Sequence, residues 1–171
     1  ALCEKLIYRH PHVFGSTQVD SSGQVEQNWE ALKLKEKGGN KTVLAGVPNT
    51  LPALIKAYRI QEKACNVGFD WEEKEQVWDK VKEEIGEFEN ELIHLNENKA
   101  EQEFGDLLFS LINAARLHKI NPENALERTN QKFIQRFNYI EETAKRQNKN
   151  LKEMTLGEMD SLWNEAKSKG L

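Results

Sequence analysis

Two short segments of the chain share one pattern, in which a glutamate, an apolar residue and a glycine precede a second acid. The pattern runs from Glu84 to Glu87 and again from Glu103 to Asp106. In each segment the acids are three residues apart, so an α-helix would place them on one face, one turn apart. Carboxylates this close repel one another, and a glycine inside a helix costs about 1 kcal/mol relative to alanine. A bound cation would offset the repulsion, so the pattern predicts a metal site.

Mg²⁺ is the cation that this set of ligands favours. It binds carboxylate oxygens and retains water molecules that a phosphate can replace. We expect Mg²⁺ as the cofactor, with Mn²⁺ as a substitute. Because the segment between the two acid pairs is short, their helices should pack antiparallel and bring the pairs to one level. Gly86 and Gly105 are interpreted as allowing close approach of the helices, or of a bound phosphate, beside the acids.

Two other readings of the acids stay open at this point. The acids could form an ordinary solvated helix face, or they could belong to a di-iron carboxylate bundle. A di-iron bundle needs a Glu-x-x-His unit on each of two helices. Glu91 and His94 supply one such unit, whereas the pair that ends in Asp106 lacks the histidine.

Composition limits the classes of protein to which the chain can belong. Of its 171 residues, 38% are hydrophobic and 30% are charged, which is typical of amphipathic helices around a single core. The net charge of −4 argues against a nucleic-acid partner. The longest apolar run, 107–115, is too short to span a membrane. With only two cysteines there is no disulfide framework, so we expect a cytoplasmic protein.

Hydrophobic spacing and capping residues predict helices throughout the chain and no strands. The fold class is therefore predicted to be an all-α bundle. Helices are expected over 2–9, 24–37 (ended by Gly38 and Gly39), 50–66, from 70 to about 95, from about 99 to 119, 122–147 and 155–169. Asp70 with Glu73, and Thr155 with Glu158, are predicted to form capping boxes.

Each of the two acid-bearing helices also carries an apolar stripe, which is narrow and suited to antiparallel helix packing in the first helix and is expected to face inward in the second. In the first helix the stripe consists of Trp78, Val81, Ile85, Phe88, Leu92 and Leu95. In the second it consists of Phe104, Leu107, Leu108, Leu111, Ile112 and Ala115.

Basic residues could bind a phosphate near the acids. Lys99 precedes Glu103 by one turn, and Arg128, Lys132 and Arg136 follow one another at steps of four on a later helix. A triphosphate carries more negative charge than one or two Mg²⁺ ions neutralise, which favours phosphate binding for this row over ordinary surface charge. Trp163 and Lys167 lie one turn apart on the last predicted helix. Trp163 is either a packing anchor or a platform on which a base stacks.

The combined motif resembles that of a known family. The segment EEIGE, from Glu83 to Glu87, is followed by EFGD, from Glu103 to Asp106. This arrangement resembles the Glu-Glu-x-x-Glu and Glu-x-x-Asp motif of the MazG-type all-α nucleotide pyrophosphohydrolases. The segments GVPNTLPALIKAYRIQEKACNVGFDW, EFGDLLFSLINAAR and NQKFIQRFNYIE look similar to the same family, so the resemblance covers essentially the whole chain.

The resemblance implies a domain organisation, an activity and a set of site residues. Residues 1–14 would be the remnant of a preceding MazG module, 15–50 a helical connector and 51–171 the catalytic MazG module. Members of the family are homodimers whose helices pack into a shared bundle. They use Mg²⁺ to convert nucleoside triphosphates to monophosphates and pyrophosphate. The metal ligands would be Glu84, Glu87, Glu103 and Asp106, and Glu83 would join them among the catalytic residues. The substrate-binding residues would be Lys99, Lys132, Arg136, Trp163 and Lys167.

Function therefore narrows to a few hypotheses. The leading one is a homodimeric, Mg²⁺-dependent hydrolase of nucleoside triphosphates that accepts several bases. A narrower enzyme for dUTP or phosphoribosyl-ATP is the first alternative. A non-catalytic scaffold that binds nucleotide is the second. Nucleoside triphosphates are the expected partners in the first two cases, with neither nucleic acid nor a membrane involved.

Overall fold

A computed structural model describes residues 2–35 and 42–171. This part of the chain contains eight α-helices and no strand, which confirms the predicted all-α class. The helices are α1 (Leu2–Arg9), α2 (Pro11–Phe14), α3 (Ser22–Lys35), α4 (Ala53–Cys65), α5 (Gln76–Ile93), α6 (Glu97–Leu117), α7 (Pro122–Arg146) and α8 (Leu156–Ser168). Short 3₁₀ turns occupy Val43–Gly46 and Leu151–Glu153. None of the described helices combines the length and the hydrophobicity needed to cross a bilayer.

The chain divides into two compact units, Ala1–Pro122 and Glu123–Leu171. The acids of the predicted metal site belong to the first unit. The second unit contains Lys132, Arg136, Trp163 and Lys167. The boundary predicted near residue 50 stays a prediction.

Helices α5 and α6 form the most extensive helix pair of the first unit and hold the acids. They are antiparallel, since Trp78 at the start of α5 lies against His118 just beyond the end of α6. Further along the pair, the rings of Phe88 and Phe104 lie 5.3 Å apart. The side chain of Asn96 caps α6 by accepting a hydrogen bond from the backbone N–H of Lys99. The short turn thus brings Glu84 and Glu87 of α5 close to Glu103 of α6, as the sequence predicts.

The two predicted capping boxes have different outcomes. Thr155 and Glu158 exchange both hydrogen bonds of a capping box at the start of α8, as predicted. The box at Asp70 and Glu73 was wrong, because α5 begins only at Gln76. Asp70 instead accepts hydrogen bonds from both terminal nitrogens of Arg116, on α6.

Arg116 competes successfully for Asp70 because its guanidinium adds a positive charge and two parallel hydrogen bonds, whereas a helix cap offers the carboxylate only uncharged backbone N–H groups. Burial alone would raise the pKa of Asp70, but the hydrogen bonds from Arg116 lower it below its usual value. The ion pair ties the segment between α4 and α5 to α6. The residues of that segment are therefore held beside the acid-bearing helices.

The predicted ends of the earlier helices shift by a few residues. Helix α3 begins at Ser22, slightly before the predicted start, and α4 begins at Ala53 rather than at Thr50. The glycine stop predicted at Gly38 and Gly39 lies outside the described residues. Gly68 follows α4 with a φ of 90°, a left-handed conformation that glycine adopts without strain.

The apolar stripes of α5 and α6 are only partly buried. Val81 and Ile112 are in the core, with exposures of 5% each. In contrast, Trp78, Leu92 and Phe104 are 44%, 51% and 46% exposed. The expectation that the stripe of α6 faces inward was therefore wrong for much of its length, and the stripe of α5 packs against α6 only in part. The described helices of a single chain leave one side of the α5–α6 pair open to solvent.

Candidate active site

Three carboxylates from α5 and α6 converge in the first unit. Glu84, Glu87 and Glu103 each offer an oxygen atom, and these oxygens lie within 4.8 Å of one another. Glu84 is buried, Glu103 is half-buried and Glu87 is exposed. The group therefore has a closed side and an open side, from which an ion and a substrate could enter.

Glu84 is the member of this group that most clearly requires a partner. Its Oε1 forms an ion pair with Lys80 Nζ, which lies 2.8 Å away. Its Oε2 is buried and has no hydrogen-bond partner in the described structure. A buried acceptor without a donor costs about 1–3 kcal/mol, and more when it carries charge. Oxygen-only ligands and an unsatisfied carboxylate oxygen fit a hard divalent cation such as Mg²⁺.

The pKa of Glu87 reflects the closeness of the other acids. Desolvation, followed by the negative charge of Glu84, raises the pKa of Glu87 above its ordinary value. The charge of Glu103 acts in the same direction, whereas Lys80 opposes it. The folded chain thus holds Glu87 in a field that disfavours its carboxylate form until positive charge is added.

Asp106 and Glu83 lie beside the group rather than in it. Asp106 is exposed and shares a cavity wall with Glu84. Glu83 is exposed and pairs with Lys80 Nζ at 2.8 Å. Their assignment as metal ligand and catalytic residue, respectively, therefore remains a prediction.

Sequence reasoning missed Lys80. Its Nζ contacts two acids at once, Glu83 and Glu84, and the residue lines the cavity next to the acids. The signal was present in the sequence, because Lys80 precedes these acids by three and four residues, the spacings at which helical side chains meet. Lys80 precedes the motif, whereas the predicted phosphate-binding residues all follow its first segment.

The interpretation of the two glycines needs a correction. A Cβ atom built at Gly86 or at Gly105 would meet nothing within 4 Å. The glycines therefore do not serve the approach of α5 to α6, because their faces point away from the helix contact. The open space at both positions leaves room for a bound phosphate or for a second copy of the chain.

The iron alternative receives no support from the described residues. His94, which it needs, places Nδ1 2.7 Å from the backbone oxygen of Asn90. The acidic group found among the described residues contains carboxylates alone. Such a ligand set favours a hard cation over an iron site that includes histidine.

The predicted phosphate-binding residues lie in different surroundings. Lys99 is exposed on α6, one turn from Glu103, and Lys132 and Lys167 are exposed within the second unit. Arg136 stacks on Trp163, with its Cζ 5.4 Å from the ring centre, and donates from Nε to the backbone oxygen of Leu171 at 2.7 Å. Trp163 also packs 5.1 Å from the ring of Phe133. Trp163 thus acts as a packing anchor in this unit.

A cavity of about 600 Å³ adjoins the acidic group. Residues of the 3₁₀ turn at Val43–Gly46, of α4, of the segment before α5, and of α5 and α6 form its wall. They are Leu44, Ile60, Gln61, Ala64, Gly68, Phe69, Asp70, Trp71, Val77, Lys80, Glu84, Asp106, Phe109, Ser110, Asn113 and Arg116. Sequence reasoning did not predict this cavity, because its residues come from separate segments that only the packing brings together.

Comparisons with known proteins agree on one family. Residues 72–140 match the MazG nucleotide pyrophosphohydrolase domain. The chain is 43% identical over 97% of its length to the nucleoside triphosphate pyrophosphohydrolase/pyrophosphatase MazG of Thermotoga maritima, covering 63% of that protein. It is 37% identical over 98% of its length to the nucleoside triphosphate pyrophosphohydrolase of Escherichia coli K12, covering 65% of it.

A further relative is longer. An uncharacterised protein of Bacillus subtilis, YabN, is 50% identical over 97% of this chain, which covers 34% of that protein. The chain thus spans less than two thirds of each of these three relatives.

The crowding at Glu87 leads to a prediction about stability. Replacing Glu87 by Gln removes one repelling charge, so Glu87→Gln should raise the midpoint of thermal unfolding in EDTA. Mg²⁺ that binds only the folded state stabilises that state. Because the variant lacks one of the carboxylates that would bind the ion, Mg²⁺ should raise its unfolding midpoint less than that of the wild type. Thermal unfolding with EDTA and with Mg²⁺ measures both effects.

Glu89→Gln is the matched control, since Glu89 is an exposed glutamate of α5 outside the acidic group. This control should leave the Mg²⁺ effect unchanged. Equal stabilisation by Mg²⁺ of the wild type and of Glu87→Gln would contradict a metal at this group.

Proposed function

Since this chain belongs to the MazG family, we propose that it hydrolyses nucleoside triphosphates to monophosphates and pyrophosphate. In this proposal residues 51–171 form the catalytic module. The enzyme acts in the cytoplasm and accepts nucleotides with several different bases. The observation that supports it most is the group of Glu84, Glu87 and Glu103, with a buried oxygen of Glu84 that lacks a partner. Family membership supports nucleoside triphosphates as the substrates on which that group would act.

The four acids of the motif would hold the metal. Glu84, Glu87 and Glu103 already share one locus, and Asp106 lies on the adjoining cavity wall. Mg²⁺, or Mn²⁺ in its place, would supply positive charge that neutralises the triphosphate and polarises the bond to be broken. Glu83 would support the site through its contact with Lys80, which also holds Glu84.

The side chains of this chain would bind the phosphates and accept a proton. Lys99, Lys132, Arg136 and Lys167 are the proposed phosphate-binding cations, with Trp163 supporting Arg136 by stacking. A carboxylate of the group would accept the proton of the attacking water, and Glu87 is the member that solvent reaches.

A homodimer is part of the same proposal. The solvent-facing side of α5 and α6 carries exposed Ile85, Phe104 and Leu108 next to open space at Gly86 and Gly105. Apolar surface of this kind is typical of an interface between subunits.

Light scattering over a range of concentrations should give the mass of a dimer, and Leu108→Glu should lower it to that of a monomer. A monomer at all concentrations would contradict the dimer.

Pyrophosphate release tests the activity. The wild type should release pyrophosphate from a panel of ribo- and deoxyribonucleoside triphosphates with Mg²⁺, and EDTA should abolish the release. Glu103→Gln should lower kcat/KM by at least about 100-fold, because removing a metal-binding group costs at least as much as disturbing its surroundings, for which 10–100-fold is usual. Including dUTP and phosphoribosyl-ATP in the panel distinguishes broad from narrow specificity.

Glu101→Gln is the control, since it removes the same charge from an exposed position of α6. It should retain nearly full activity. Binding of nucleotide without any turnover would instead favour the non-catalytic scaffold, and equal losses in the two variants would indicate a general charge effect.

A further inference from the structure

The cavity beside the acids is suited to a small organic group. Its volume of about 600 Å³ falls within the range of roughly 300–1,000 Å³ that is common for small-molecule sites. Its wall is largely apolar, with Ile60, Val77 and Phe109 among its members. Glu84 and Asp106 lie on the same wall, so the cavity is continuous with the acidic group. A nucleotide whose phosphates bind at the acids would have this space for its nucleoside end.

One polar side chain in the wall is left incompletely paired. Gln61, on α4, is only 6% exposed. Its Nε2 donates a hydrogen bond to the backbone oxygen of Phe109 at 2.8 Å, which fixes the orientation of the amide because a carbonyl can only accept. Its Oε1 is buried and has no partner in the described structure.

An unpaired buried acceptor of this kind points to a missing donor. Nearly all buried polar side-chain atoms in proteins have a hydrogen-bond partner, so an exception requires an explanation. Gln61 lines a cavity next to the acidic group, and a ligand in that cavity could supply the donor. In a mostly apolar site, the few polar groups determine how a ligand is oriented and which ligands the site prefers.

The recessed position of this oxygen restricts the kind of donor. Because Oε1 is enclosed, a donor that projects from a ring reaches it more readily than an N–H within the ring. We propose that the cavity binds the nucleobase of the substrate and that Gln61 accepts a hydrogen bond from an exocyclic amino group. Adenine, cytosine and guanine carry such a group, whereas uracil and thymine do not. This inference rests on the proposed function, whose substrate class it narrows.

Aromatic residues next to Gln61 supply contacts that any base could use. Phe69 and Trp71 line the cavity from the segment that precedes α5. The Asp70–Arg116 ion pair anchors this segment to α6 between the two rings. Stacking on aromatic rings tolerates every base, so it contributes affinity without discrimination. Phe69 is 81% exposed, so much of its ring surface is available for contact with a base.

Binding of nucleosides without phosphates tests the inference separately from hydrolysis. Isothermal titration calorimetry would compare adenosine with purine riboside, and cytidine with pyrimidin-2-one riboside. Each analogue has a hydrogen in place of the amino group and adds no bulk. At least one parent nucleoside should bind at least about fivefold more tightly than its analogue, the factor expected for a hydrogen bond to a buried acceptor.

Variants locate the effect at Gln61. Gln61→Met keeps the length of the side chain but lacks the acceptor, so it should bind the parent nucleoside and the analogue equally. Gln102→Met, at an exposed glutamine of α6 outside the cavity wall, should retain the preference.

Several results would overturn the inference. They are the absence of nucleoside binding, equal binding of parent and analogue by the wild type, and a preference that survives in Gln61→Met or is lost in Gln102→Met. If Gln61→Met does not fold, the comparison of parent with analogue in the wild type decides alone. Pyrophosphate release together with such a result would leave the proposed function intact, and nucleoside preference without release would support the cavity but not the hydrolase.

Discussion

The burial of one carboxylate among others is the constraint on which the α5–α6 pair depends. Glu84 is held at 5% exposure with one oxygen unpaired, and Glu87 and Glu103 lie close to it. Repulsion among these acids would push the two helices apart. Lys80 offsets part of it from within α5. Contacts such as that between Phe88 and Phe104 hold the pair together, so packing keeps the acids in place before any ion arrives.

The same constraint connects the acids with the cavity. The segment before α5 stays close to α6 because Asp70 pairs with Arg116, and that contact brings Trp71 to the wall that Glu84 also lines. The site therefore combines a group of acids with a cavity whose wall is mostly apolar, although the Asp70–Arg116 ion pair also lines it. A nucleoside triphosphate has two matching parts, the charged phosphates and the base. The distribution of polarity supports the proposed substrate independently of the family.

Patterns within one helix were predictable from the sequence, whereas contacts between distant segments were not. Helical spacing and the short turn predicted that Glu84 and Glu103 would meet, and the Thr155 box follows from local capping rules. The box at Asp70 failed because its competitor, Arg116, is 46 residues away. Gln61 was not predictable for the same reason, since its partner Phe109 lies on another helix. The periodicity of the apolar residues also does not show which part of an apolar stripe remains exposed to solvent.

The most direct test of the central claim is the binding of a divalent cation at Glu84. Isothermal titration of metal-free protein with Mn²⁺ would compare the wild type with Glu84→Gln, which keeps the shape of the side chain and removes its charge. The wild type should show saturable binding, and Glu84→Gln should weaken it by at least about tenfold. Equal affinities in the two proteins would show that the acids form a solvated helix face instead of a metal site.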